Sequence, residues 1–134
     1  MSVASDRIIA DTNIVSYVMK GTELGRRFMP HLANKIVGIS FVTVAEMYYG
    51  AQRANWGERR RQKLEEHLRN FVVLPYSNEI AKVFAEITVE RERAGRALSW
   101  PDAWIAATAI WHNIPLITHD GDFAGIARLQ LVAT

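Results

Sequence analysis

The chain has 134 residues, 49% apolar and 22% charged, with 16 Lys and Arg against 14 Asp and Glu for a formal net charge of +2. This composition excludes a disordered chain, suffices for one domain with its own core, and lacks the strong positive balance that alone would announce a nucleic-acid binder. The absence of cysteine removes disulfides and thiolate chemistry and fits a reducing cytoplasm.

At the start, Asp6 and Arg7 precede a very short apolar run, which is not a signal-peptide pattern. No uncharged run approaches the roughly 20 residues that span a bilayer. A soluble, cytoplasmic protein without membrane association is therefore expected. Residues 7–10 read as a strand and 12–20 as a helix capped by Asp11 or Thr12, with a break at Gly21 and Thr22 and a second helix over 23–33. "IVGIS", 36–40, is a buried strand. "FVTVAEMYYGAQRA" then repeats apolar side chains at Val44, Met47, Tyr48 and Ala51, a helical spacing. Asn55 and Gly57 interrupt it before a highly charged helix over 58–70.

"FVVLPY", 71–76, is a third strand stopped by Pro75, and a long helix runs from Asn78 to about Arg93. "SWPDAWIAATAIWHN" begins with Ser99 as N-cap and Pro101 near the first helical position, and continues as an alanine-rich buried helix. "IPLITHD" supplies a fourth strand and "LQLVA" a possible fifth. Strands separated by helices predict an α/β fold, a mostly parallel central sheet of four to five strands covered by helices on both faces, in a single domain over 1–134. In such a sheet the carboxyl ends of the strands share one rim, where ligands bind.

Four acids fall near that rim. Asp11 follows "IIA", Glu46 lies in the mostly apolar helix after "VGIS", Asp102 sits in the first turn of its helix, and Asp120 follows "LIT". Each alone has a plain structural reading: Asp11 or Asp102 as a helix cap, Asp120 as the start of a turn with Gly121. Glu46 is harder to explain that way, because its neighbours are apolar and an unpaired charge there is unfavourable. Four converging carboxylates repel one another and raise their proton affinities unless a cation intervenes. The four histidines, His31, His67, His112 and His119, are scattered, so zinc is a poor fit; hard oxygen ligands suit Mg²⁺ or Mn²⁺, and phosphodiester hydrolysis is chemistry such ions support.

"ADTNIVSYV", "ISFVTVAEMYYG" and "DAWIAATAIWHNIPLITHDGDF", in that order, resemble the PIN-domain ribonucleases, and more narrowly the VapC-type toxins of bacterial toxin-antitoxin pairs. The resemblance implies a three-layer α/β/α fold, an acidic cleft for Mg²⁺ or Mn²⁺, cleavage of RNA to leave a 5′-phosphate, a homodimer, and a cognate antitoxin that blocks the cleft. It assigns metal binding and catalysis to Asp11, Glu46, Asp102 and Asp120. Asn13 and Thr118 support them, and Asp122 either completes an outer shell or caps its turn. Where relatives often carry Arg or Asn, this chain has His119, which is expected to lie exposed beside the cleft.

Basic residues beside the rim, among them Arg53, Arg59, Arg60, Arg61 and Arg96, are candidates for guiding the RNA backbone; their other reading is a solvated helix face. Trp100 is a candidate substrate contact, whereas Trp104 and Trp111, seven apart on an apolar helix, favour core or dimer packing. Tyr48 and Tyr49 are candidates for a partner surface. The competing functions are a metal-dependent phosphatase, for which no Gly-rich phosphate cradle is evident, a DNA nuclease, for which the chain has little room for duplex-guiding additions, and a non-enzymatic interaction module whose acids merely cap helices.

Overall fold

A computed structural model describes residues 6–134; the first five, part of the segment read as lacking a leader pattern, lie outside the described residues. The sheet is built around β1 (Arg7–Ala10), buried from Ile8 to Ala10, with Ile9 packed into one core and Ile8 and Ala10 into another. That is the period-2 display of a strand covered on both faces. β1 pairs in parallel with β2 (Ile36–Ser40) on one side and with β4 (Leu116–Ile117) on the other. β3 (Val72–Leu74) adds beyond β2, so the order is β3-β2-β1-β4.

On one face, α1 (Thr12–Lys20), α2 (Glu23–Leu32), α3 (Phe41–Arg53) and α4 (Glu58–Leu68) bring Ile14, Phe28, Met47 and Leu64 against Ile8, Ile39 and Ile117. On the other, α5 (Asn78–Arg93) and α6 (Trp100–His112) pack Ile80, Ile87, Ala103 and Ile105 against Ile9 and Leu116. The alanines of α6 let it lie close to both sheet and α5. Asp11, Thr22, Ser40, Ser77 and Ser99 each accept a backbone N–H from the helix they precede, which satisfies donors that have no intrahelical partner. Gly25 is required where α2 crosses α1, because a Cβ there would stand 2.2 Å from the Tyr17 carbonyl oxygen.

The fifth strand read in "LQLVA" does not form. Leu131 makes one parallel bridge to Leu116, whose N–H donates to Gln130 O and whose carbonyl accepts from Val132 N–H, each at 2.9 Å. β4 is itself too short to template more, and positive φ at Gly125 (82°) and Arg128 (69°) keeps the approaching chain turning until just before the bridge. The third strand is likewise shorter than 71–76, because Phe71 N–H still bonds back to Leu68 O. Among the described residues, no helix is long and apolar enough to cross a membrane.

The strand order places the site. From β1 the chain moves outward through β2 to β3, then returns to the far side of β1 as β4. The crevice outside the carboxyl ends of β1 and β4 is thus a topological switch point, and Asp11 and Thr118 are the first residues beyond those two strands.

Candidate metal centre at the switch point

Asp11 caps α1 and is only 3% exposed. Ile14 N–H donates to its Oδ1 at 3.0 Å, and the Thr118 hydroxyl donates to its Oδ2. Burial pushes this carboxyl above the usual aspartate range; the Thr118 and Ile14 hydrogen bonds oppose the shift, and the charges of Asp120 and Glu46 add to it. Asp102, in the first turn of α6, is pushed up to about 6, first by burial and then by Asp120, Asp11 and Glu46, with Ser99 acting the other way. Glu46 is half-buried on α3 and accepts the Thr12 hydroxyl at 2.6 Å, while Thr43 Oγ1 lies 3.0 Å from Thr12 Oγ1.

After β4 the chain folds back on itself. Asp120 N–H donates to Thr118 Oγ1 at 2.9 Å, and Asp120 Oδ1 accepts Asp122 N–H at 2.9 Å, so Asp120 caps the short 3₁₀ turn Gly121–Phe123. One carboxylate oxygen each from Asp102, Asp120 and Asp122 lies within 4.8 Å of the others. A hard ion with ligands at about 2.1 Å spans oxygens up to about 4.2 Å apart, so a small inward movement or a bridging water suffices. The donor set also fits such an ion: it is all carboxylate and hydroxyl, and its charges already disfavour one another.

The structure therefore brings Asp11, Glu46, Asp102 and Asp120 within electrostatic reach at one rim, with Thr118 joining two of them. Asp122 stands closer than the sequence requires: it belongs to the tightest group of acids and is also the residue whose N–H closes the turn. Asn13 is exposed and lines a groove beside Glu46, while the hydrogen bond to Glu46 comes from its neighbour Thr12. His119 is exposed and packs edge-on against Phe28, with ring centroids 5.6 Å apart.

Sequence reasoning missed Thr12, Thr43 and Arg91. A threonine beside a catalytic-looking acid leaves a faint signal, although hydroxyls one residue after Asp11 and three before Glu46 hint at a shared cluster. Arg91 is 8% exposed and, among the described residues, makes no ion pair. Its Nε donates to Arg96 O at 2.9 Å, and its two terminal nitrogens donate to Ala124 O and Asp122 O at 3.4 Å each, tying α5 to the turn that carries Asp120 and Asp122.

The basic candidates separate. Arg53 donates to the Tyr49 hydroxyl and Arg61 to Gln52 Oε1, each at 3.4 Å, so both lean on α3. The Arg60 guanidinium lies 4.1 Å over the Trp56 ring. Arg59 is exposed, and Arg96 has its guanidinium beside Gly125. Trp100 is 67% exposed with one edge on Phe84, Trp104 stacks on Phe84 at 4.3 Å, and Trp111 is half exposed, so Trp104 and Trp111 do not share one environment.

This parallel α/β sheet with clustered acids at its switch point is that of a PIN domain, the family that matches residues 8–129. Among curated proteins, Ribonuclease VapC2 of Haemophilus influenzae is 33% identical over 116 residues, covering 85% of this chain and 86% of its own. Ribonuclease VapC5 of Mycobacterium tuberculosis is 32% identical over 120 residues, covering 86% and 89%. The crystal structure of VapBC2 from Rickettsia felis, bound to a DNA fragment from their promoter, aligns at a TM-score of 0.84 with 27% identity over 94% of this chain and 97% of that one. The chain belongs to the PIN-domain family, in its VapC ribonuclease branch.

Proposed function

We propose that this chain is an endoribonuclease toxin that hydrolyses RNA phosphodiesters at the rim of β1 and β4, with Asp11, Glu46, Asp102 and Asp120 holding Mg²⁺ or Mn²⁺. The observation that carries this is the convergence of carboxylates at that rim: one oxygen each of Asp102, Asp120 and Asp122 lies within 4.8 Å of the others, and Thr118 links Asp11 to Asp120. Carboxylates arranged this way are unfavourable without a cation and useful with one. When bound, the ion supplies positive charge that activates water and offsets charge on the phosphate and the leaving oxygen. Asp11 is fixed by its two hydrogen bonds, so it presents its remaining lone pairs in one direction; Thr12 orients Glu46 in the same way; Thr118 couples Asp11 to Asp120. Asp122 supports the turn and, through its own oxygen, the edge of the site.

Because the structural relative is a VapBC assembly, a cognate antitoxin that covers this acidic rim is part of the proposal, as is a homodimer acting in the cytoplasm. Tyr48 and Tyr49, 42% and 63% exposed on α3, supply aromatic surface for such contacts. Asp11→Asn tests the site cleanly, since asparagine keeps the capping oxygen for Ile14 N–H and preserves the fold. Calorimetry should find Mn²⁺ binding weakened by at least about tenfold and RNA cleavage reduced by about a hundredfold or more, with an unchanged circular dichroism spectrum. Unaltered binding and cleavage in that variant would sink the assignment, and parallel assays on single-stranded DNA and a phosphomonoester separate the ribonuclease from the DNA-nuclease and phosphatase readings.

A further inference from the structure

The acidic rim opens into a groove that the reaction itself does not explain. α1 and α3 follow β1 and β2, two parallel neighbours, so both helices leave the same rim and the furrow between them starts at the site. It has a volume of about 330 Å³, with Thr12, Asn13 and Glu46 at one end and Lys20, Trp56 and Arg60 at the other. A second hollow of about 140 Å³ shares Lys20, Trp56 and Arg60 and adds Lys63. Along α3 and its C-cap the wall includes Glu46, Gly50 and Ala54, one stripe at successive turns, about 12 Å long at 1.5 Å per residue.

We propose that this groove carries the RNA strand on one side of the scissile phosphate, and that Lys20, Arg60 and Lys63 hold the phosphates of that strand. The proposal rests on the ribonuclease reading above and adds the path of the substrate. Charge supports it first. Among the described residues, none of these three cations has an acid within ion-pair distance, whereas Arg128 does pair with Glu86. A run from acids to unneutralised cations is what a polyanion needs if one phosphate is to sit at a metal and the next ones on the protein. Arg60 is also placed for a phosphate, since its guanidinium rests 4.1 Å over the Trp56 ring, a contact that restrains the side chain at the groove wall without using its N–H donors in an ion pair.

Gly50 is the second, independent observation. It lies inside α3, its φ is not positive, and a Cβ built on it would meet no atom within 4 Å. Neither backbone conformation nor internal packing requires glycine there, although an interior glycine weakens a helix relative to alanine. An unobstructed wall facing the groove is the feature it provides.

The test uses the full chain with Mn²⁺. Cleavage of total cellular RNA by the wild type is measured first, and then that by Gly50→Leu, Lys20→Ala and the double variant Arg60→Ala with Lys63→Ala, with Lys82→Ala on α5 as control. Gly50→Leu should keep or raise the thermal midpoint yet increase KM about tenfold by filling the track. The double variant should raise KM about tenfold with kcat within about twofold, and in an Asp11→Asn background should make the salt dependence of single-stranded RNA binding shallower by about 1.4 in log–log slope, two phosphate contacts at about 0.7 each. Wild-type cleavage with unchanged KM and salt slope in all groove variants would overturn the track and leave the ribonuclease reading standing. Loss of antitoxin binding in these variants without any change toward RNA would overturn it in favour of a protein occupant. No RNA cleavage by the wild type would remove the ribonuclease reading, and this inference with it.

Discussion

Asp11 holds a helix end with one carboxylate oxygen and a threonine from beyond a distant strand with the other. Both roles use one side chain, which is why the segment "RIIADTNIV" reads equally well as a cap and as a site: the two readings are compatible. Asp102 gives this a measurable form. Folded, it keeps its proton up to about pH 6, against 3.8 for the free side chain. Between those values the folded chain binds more protons than the unfolded one, so this group lowers stability as pH rises from 3.8 toward 6, and the penalty then stays constant. Without metal, Asp102→Asn should therefore have a higher urea midpoint than the wild type at pH 7, with the gap closing by about pH 4. Parallel pH profiles that stay a constant distance apart across that range would show that the carboxylate is not disfavoured in its charged form.

At the scale of elements, the turn after β4 is held from outside by α5. Arg91 supplies hydrogen bonds to three backbone carbonyls, and it does so from a helix that otherwise packs on α6. Arg91→Met keeps much of the apolar stem but removes every one of these donors, and should destabilise the chain by about 1 to 2 kcal/mol in urea unfolding. Because the released turn carries Asp120 and Asp122, Mn²⁺ affinity measured well below the unfolding midpoint should fall as well. A stability loss with affinity intact would mean that the turn keeps its shape without the arginine. Arg91 also marks the limit of what could be read from the chain alone. The helix and strand pattern was legible because buried faces recur at periods of 3.6 and 2, and serine and aspartate punctuate the helix starts. Arg91 was not, since a basic residue on an amphipathic helix looks the same whether it faces solvent or a carbonyl-lined pocket made by residues 31 to 33 positions away. The unformed fifth strand failed for a related reason: "LQLVA" has the alternation, but pairing depended on β4 being long enough to receive it. Among the acids, their convergence was legible from their recurrence at strand ends, and so was Thr118, while the Thr12 and Thr43 hydroxyls beside Glu46 became visible only once α1 and α3 were placed side by side.

For the whole molecule, function and stability pull in opposite directions at the switch point. The β3-β2-β1-β4 order brings the carboxyl ends of β1 and β4 together, and with them acids from chain positions as far apart as Asp11 and Asp120. Packing on both sheet faces stabilises this arrangement against the repulsion it contains. An ion that binds the folded chain alone shifts the balance by mass action, about 2.7 kcal/mol at a hundredfold excess over Kd. For a domain of 134 residues that corresponds to a rise in Tm on the order of 10 °C. Thermal scans with and without Mn²⁺ should show this rise for the wild type at pH 7. Asp102→Asn should start from a higher midpoint without metal and gain much less on adding it, so that the two melting curves exchange order as Mn²⁺ is titrated. That crossing separates an electrostatic site from a set of helix caps: caps predict that removing the carboxylate lowers the midpoint under both conditions and that Mn²⁺ moves neither protein.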